Sequence, residues 1–204
     1  MIAVIDYDIG NLAAIANMLN RLGASCVITA DPVVVETADK IILPGNGAFD
    51  ACVRGIRSSG LLDLLTHKVL VQRTPLLGIC VGAQMLGYGS EEGKEPGLGW
   101  IDMQVRRFPR LPGLRVPHMG WCHVDKGPVP STLVQDLADD ARFYFVHSYY
   151  LAPADPQAVM LRATYGIDFA AAVHQGNITG VQFHPEKSHR FGKALLAQFA
   201  QGEG

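Results

Sequence analysis

Four short, mainly apolar runs punctuate the first half of the chain: Ile2–Ile5, Val27–Ile28, Lys40–Leu43 and Pro75–Ile79. A strand without polar alternation has to be covered on both faces, and that is the condition of a parallel sheet packed between helices. The intervening stretches supply the helices. Gly10-Asn11 opens one in which Leu12, Ile15, Ala16 and Leu19 recur at helical spacing, and Gly23 ends it. A second is expected over Ala48–Leu65. This rhythm predicts an α/β fold with a central, mostly parallel sheet flanked by helices. Hydrophobic residues at 49% of the composition are enough to fill such a core and exclude a mainly disordered chain.

After about Gly93 prolines and glycines become frequent and the expected strands are short: around Ile101–Val105, Phe143–His147, Ala158–Thr164, Phe169–His174 and Ile178–Phe183. The turn at His174-Gln175-Gly176-Asn177 predicts a hairpin, and so an antiparallel extension of the sheet in the C-terminal half. A terminal helix is expected over Lys187–Phe199. Neither a linker nor a repeat divides the 204 residues, so a single domain over 1–204 is expected.

Seventeen basic residues against nineteen acidic ones give a net charge of −2, which supplies no electrostatic footprint for nucleic acid or an anionic membrane. No run approaches the roughly 18 apolar residues of a membrane helix. Asp6 interrupts the opening Met-Ile-Ala-Val-Ile too early for a secretory signal. The cysteines, Cys26, Cys52, Cys80 and Cys122, form no Cys-x-x-Cys pair, so no metal site is expected. A cytoplasmic protein with free thiols follows.

Three motifs carry chemistry. Gly78-Ile79-Cys80-Val81-Gly82 sits where a strand turns into a helix, the layout of a nucleophile elbow. The start of the following helix faces the thiol and favours its reactive, anionic form. The competing reading is a buried structural cysteine between packing glycines. Phe183-His184-Pro185-Glu186 offers a base and an acid to orient it, although a lone His-Pro-Glu would more often be a surface loop. Pro44-Gly45-Asn46-Gly47, directly after the third strand, can turn backbone N–H groups toward an anion, or be an ordinary strand-to-helix turn.

Together, Gly78-Ile79-Cys80-Val81-Gly82-Ala83-Gln84 and His184-Pro185-Glu186 resemble the signature of the class I, triad-type glutamine amidotransferases. Asp6-Tyr7-x-x-Gly10-Asn11-Leu12, Pro44-Gly45-x-Gly47-Ala48-Phe49, Pro117-His118-Met119-Gly120-Trp121 and Phe145-Val146-His147-Ser148-Tyr149 are similar to the glutaminase subunits of imidazole glycerol phosphate synthases. The resemblance spans residues 1 to about 200 in the family's order. Asp8, Asn46, Ala83 and Cys122 stand where the family more often has glycine, valine, methionine and asparagine.

The resemblance implies the class I glutamine amidotransferase fold and assigns Cys80 as nucleophile, His184 as its base and Glu186 as the orienting acid. The Val81 N–H and those of Gly45, Asn46 and Gly47 would form the oxyanion hole. Gln84, His147, Ser148 and Tyr149 would hold the substrate, L-glutamine. Asn11, Trp121, Tyr144 and Lys187 match the family's contacts with a (β/α)8 barrel cyclase, to which ammonia is delivered to make imidazole glycerol phosphate and AICAR in histidine biosynthesis. No metal or organic cofactor is implied. Two other readings stay open at this level: the same glutaminase serving a related pathway such as sugar amidation, and a stand-alone cysteine amidohydrolase.

Overall fold

The computed structural model describes residues 1–202. The first half builds a helix-linked parallel sheet. Its elements are β1 (Ile2–Ile5), α1 (Leu12–Arg21), β2 (Cys26–Thr29), α2 (Pro32–Glu36), β3 (Lys40–Leu43), α3 (Phe49–Ser58), α4 (Leu62–Thr66), β4 (Leu76–Ile79) and α5 (Val81–Met85). The second half adds β5 (Met103–Arg107), β6 (His118–His123), β7 (Asp125–Lys126), β8 (Arg142–His147), β9 (Tyr149–Pro153), β10 (Val159–Tyr165), β11 (Ile167–Gln175), β12 (Ile178–Val181) and α6 (His189–Gln201).

The main sheet runs β2-β1-β3-β4-β12-β11-β10-β7. Its first five strands are mutually parallel, and from β11 outward the pairings are antiparallel, as the sequence predicts. β9 pairs with β11 and carries β5 on its other side. Every residue of β1, β4 and β12 is buried, which requires cover on both faces of the sheet. α1 packs against α6, and α3 against α5.

Several features depart from the expectation, and α2, β7 and β9 are elements it did not foresee. The helix expected over Ala48–Leu65 breaks after Ser59, because Gly60 takes φ +74°, a conformation that ends a helix, and the chain restarts as α4. The terminal helix starts at His189, two residues late, since Pro185–Lys187 forms a separate 3-10 turn. β6 was not anticipated. It pairs with β8 as a separate antiparallel ribbon outside the main sheet, setting His118 opposite His147 and Trp121 opposite Tyr144.

Adjacent parallel strands bring distant motifs together. β3, β4 and β12 are neighbours, with Leu43 level with Gly78 and Val181 level with Ile79. The segments leaving their carboxyl ends are Pro44–Gly47, Cys80–Val81 and Gln182–Glu186. The carboxyl edge of a parallel sheet is where such folds hold their ligands.

Candidate active site

Cys80 is strained into place. Its φ of +55° is uncommon for a residue with a side chain, and such a conformation costs about 1–3 kcal/mol. The bend is possible because of what surrounds it. A Cβ on Gly82 would lie 2.0 Å from the Leu43 carbonyl oxygen, one on Gly78 2.9 Å from the Ala83 Cα, and one on Gly45 2.3 Å from the Gly82 nitrogen. The oxyanion-loop candidate and the elbow are therefore pressed together, backbone on backbone. α5 has only five residues, too few for a full helix dipole, so the positive group facing the sulfur is chiefly His184.

The His184 imidazole is buried and hydrogen-bonds through Nδ1 to Glu186 Oε1 at 2.8 Å. A carboxylate only accepts, so Nδ1 carries a proton and Nε2 is left for the Cys80 sulfur. Burial alone would lower the His184 pKa, but its hydrogen bonds to Cys80 and Glu186 outweigh that and raise it to about 9. The ring is thus protonated at neutral pH. The Glu186 side chain is 1% exposed, and its second oxygen, Oε2, is buried with no partner among the described residues, so its hydrogen bonding is spent on the histidine.

A cavity of about 280 Å³ opens over the sulfur, and Asn46, Gly47, Cys80, Val81, Gln84, His147, Ser148, Tyr149 and His184 all line it. Of the expected catalytic, oxyanion and substrate residues only Gly45 and Glu186 do not, each being packed directly behind a residue that does. The Val81 N–H opens α5, where no intrahelical acceptor exists for it. Gly47 has φ +79°, which its lack of a side chain permits.

The substrate candidates are tied to one another. Gln84 Nε2 donates to the Tyr149 carbonyl at 3.2 Å and to Gln182 Oε1 at 3.0 Å. His147 Nδ1 donates to the same Tyr149 carbonyl at 2.8 Å, so its Nε2 accepts from His118 Nδ1 at 3.2 Å. Both nitrogens of the His147 ring are then engaged within the protein, which leaves the ring no nitrogen for a ligand. Burial pushes the His147 pKa down to about 3 and that of His118 to about 4, keeping both rings neutral.

Sequence reasoning missed three participants. Gln182, just past β12, donates through Nε2 to the Cys80 sulfur at 3.9 Å. Ser188 is fully buried, accepts from the Tyr144 N–H at 2.9 Å and donates to the His184 carbonyl at 2.6 Å, fastening the histidine loop to β8. Glu92 lines the cavity and accepts from the Phe49 N–H at 3.1 Å. Only Gln182 left a trace in sequence, as the polar interruption of an apolar strand end.

Trp121, Tyr144 and Lys187 do assemble. Trp121 meets Tyr144 edge-on at 6.2 Å and stacks on His189 at 5.4 Å, and Lys187 Nζ lies 6.0 Å from the Tyr144 ring centre. Trp121 is 43% exposed and its neighbour Met119 63%. Asn11 is half-buried at the start of α1, a helix that packs against the Pro185–Lys187 turn and α6, and its side chain makes no capping bond.

The model of the family described as glutamine amidotransferase class-I matches residues 3–201. The chain is 50% identical over 201 residues to imidazole glycerol phosphate synthase subunit HisH 2 of Pseudomonas aeruginosa, covering 98% of this chain and 99% of the relative. It is 46% identical to the HisH subunit of Bdellovibrio bacteriovorus, covering 98% of this chain and all (100%) of the relative. Among solved structures, one described as a glutamine amidotransferase superposes with a TM-score of 0.71 at 20% identity, covering 97% of this chain and 95% of the other. The structure of PurLQS from Thermotoga maritima gives 0.66 at 19% identity, with 97% and 95% covered. At such identities the structures attest the fold.

Proposed function

The chain belongs to the class-I glutamine amidotransferases, and from that premise we propose that it is the glutaminase subunit of an imidazole glycerol phosphate synthase, acting as a single domain over residues 1–204. The observation that carries the reading is the convergence of Cys80 and His184 on one cavity at the ends of two adjacent strands, with Glu186 bonded to the histidine from behind.

In this reading the Cys80 sulfur attacks the carboxamide carbon of L-glutamine, and the carbonyl oxygen takes the negative charge. The Val81 N–H and those of the Gly45–Gly47 loop receive that charge. The His184 imidazolium, held by Glu186, gives its Nε2 proton to the departing nitrogen. The C–N bond breaks, releasing ammonia and leaving a γ-glutamyl thioester. Neutral His184 then takes a proton from water, whose oxygen attacks the thioester. Glutamate leaves and the sulfur is restored. Gln84 and the His147–Tyr149 backbone hold the amino-acid end of the substrate.

The exposed Trp121 and Lys187 and the half-buried Tyr144 between them fit a partner surface, because aromatic rings and a nearby cation are what interfaces concentrate. The partner is a (β/α)8 cyclase in a heterodimer, which receives ammonia before bulk water protonates it and makes imidazole glycerol phosphate and AICAR. No helix among the described residues is long and apolar enough to cross a membrane. The proposal places the complex in the cytoplasm.

The deciding variant is Cys80→Ala, assayed in the complex. Synthesis supported by glutamine should disappear while synthesis supported by added ammonia persists. Loss of both would overturn the division of labour between the two chains, and full glutamine turnover by the chain alone would favour a stand-alone amidohydrolase.

A further inference from the structure

Two fully buried side chains next to the site take no part in the chemistry above. Tyr7 follows β1, and Cys52 lies on the first turn of α3. The Tyr7 hydroxyl donates to the Pro44 carbonyl. The Cys52 thiol donates to the Asn46 carbonyl at 3.2 Å. The tyrosine ring is seated on α3 at Gly55, where a Cβ would stand 2.9 Å from its Cδ2. Neither residue lines the cavity, whereas Asn46 and Gly47 do.

The carbonyls so held flank one peptide. In a trans peptide the N–H points opposite to the C=O. Drawing the Pro44 and Asn46 carbonyls toward Tyr7 and Cys52 therefore turns the Gly45 and Gly47 N–H groups away from them. For Gly47 the opposite side is the side of the cavity. The loop needs such restraint, because Asn46, Gly47 and Ala48 are exposed and a Cβ on Gly47 would find nothing within 4 Å. A segment with two glycines and no packing of its own rotates its peptides readily.

We infer that Tyr7 and Cys52 are positioning residues, whose paired grip on the Pro44 and Asn46 carbonyls aims the loop's N–H groups at the oxyanion formed on Cys80. The inference rests on the glutaminase reading and on this loop being an oxyanion donor. Neither side chain meets the substrate. Their effect is on the transition state, where charge on the oxygen is greatest, and not on glutamine in its ground state.

The test uses the full chain in complex with its synthase. Tyr7→Phe and Cys52→Ala should each lower kcat for glutamine about tenfold, the scale of one lost hydrogen bond, with KM unchanged. Cys52→Ser, which keeps a donor, should recover most of the loss. Alkylation of Cys80 by iodoacetamide, which forms no oxyanion and is read by peptide mass, should proceed at the unaltered rate. Gly47→Ala, which strains the loop directly at φ +79°, serves as the comparison and should also lower kcat. If Gly47→Ala slows turnover and the Tyr7 and Cys52 variants do not, the inference is wrong and the loop's role stands. If Gly47→Ala has no effect either, the loop is not the donor and both ideas fall. If Cys80 alkylation slows in step with kcat, the variants have disturbed the nucleophile itself, and the inference is overturned.

Discussion

His184 needs its acid neighbour for more than orientation. The ring is buried, which by itself favours the neutral form, and it stays protonated to about pH 9 because Glu186 and Cys80 bond to it. Glutamine hydrolysis should therefore decline as pH rises through about 9, where the proton destined for ammonia is lost. In Glu186→Gln the carboxylate charge is gone, so that alkaline limb should move toward neutrality and kcat should fall about 10²–10⁴-fold. A pH–rate profile with an unmoved limb would contradict this role. Gln182 gives a second handle: Gln182→Leu removes a donor to the Cys80 sulfur and releases Gln84 from its partner, and should weaken both kcat and KM. At this scale the pairing of His184 with Glu186 was legible because the two stand in one short motif. Ser188 was not, since a serine opening a terminal helix reads as a cap, and its actual bonds, to Tyr144 and His184, cross a distance no local pattern encodes. Asp8 is a departure the structure explains. It takes φ +66°, a conformation that glycine adopts freely, and its N–H donates to Asp6 Oδ1 at 3.1 Å, an arrangement that eases an aspartate into a left-handed turn.

Elements place these residues through glycine contacts as much as through side chains. β3, β4 and α5 approach so closely that Gly82→Ala would drive a methyl to 2.0 Å from the Leu43 carbonyl. The backbone there has no flexible side chain to yield. We expect Gly82→Ala to destabilise the fold by about 1–3 kcal/mol or more, seen as a lower urea midpoint, and to abolish glutaminase activity in whatever protein remains folded. An active variant of wild-type stability would show that the elbow and loop are less tightly joined than described. The parallel strands were readable because burial on both faces leaves continuous apolar runs. β6 was not, because its residues alternate between buried and exposed while Gly120, at φ +138°, interrupts the pattern. The break in the long helix was signalled by Gly60, but the restart at α4 keeps the apolar spacing going and hides it.

At the scale of the molecule, buried neutral histidines make stability depend on pH. His118 and His147 titrate near 4 and 3 when folded, against an ordinary value near 6.5 in the unfolded chain. Between these limits the unfolded state binds more protons, so stability falls as the solution is acidified from about pH 6.5 toward 4. His184 has the opposite sign, its contribution being full below about 6.5 and lost as pH rises through 9. Thermal melting should accordingly peak in the near-neutral range, and His118→Gln should flatten the acid side; an unchanged acid slope would exclude the pair as its source. The overall architecture was legible from the strand–helix rhythm and the hairpin at Gly176, whereas the separate ribbon of β6 and β8 was not, because long-range antiparallel pairing leaves little local trace. The place of β12 in the sheet has a consequence for biosynthesis. It is synthesised long after β4, yet it belongs between β4 and β11. Until it arrives, the edge of β4 stays open and Cys80 has no proton carrier, so the nascent protein is at once prone to stick and chemically mute. Chains released before Ile178 should sediment as aggregates; soluble, monomeric ones would mean that the neighbouring strands close without it.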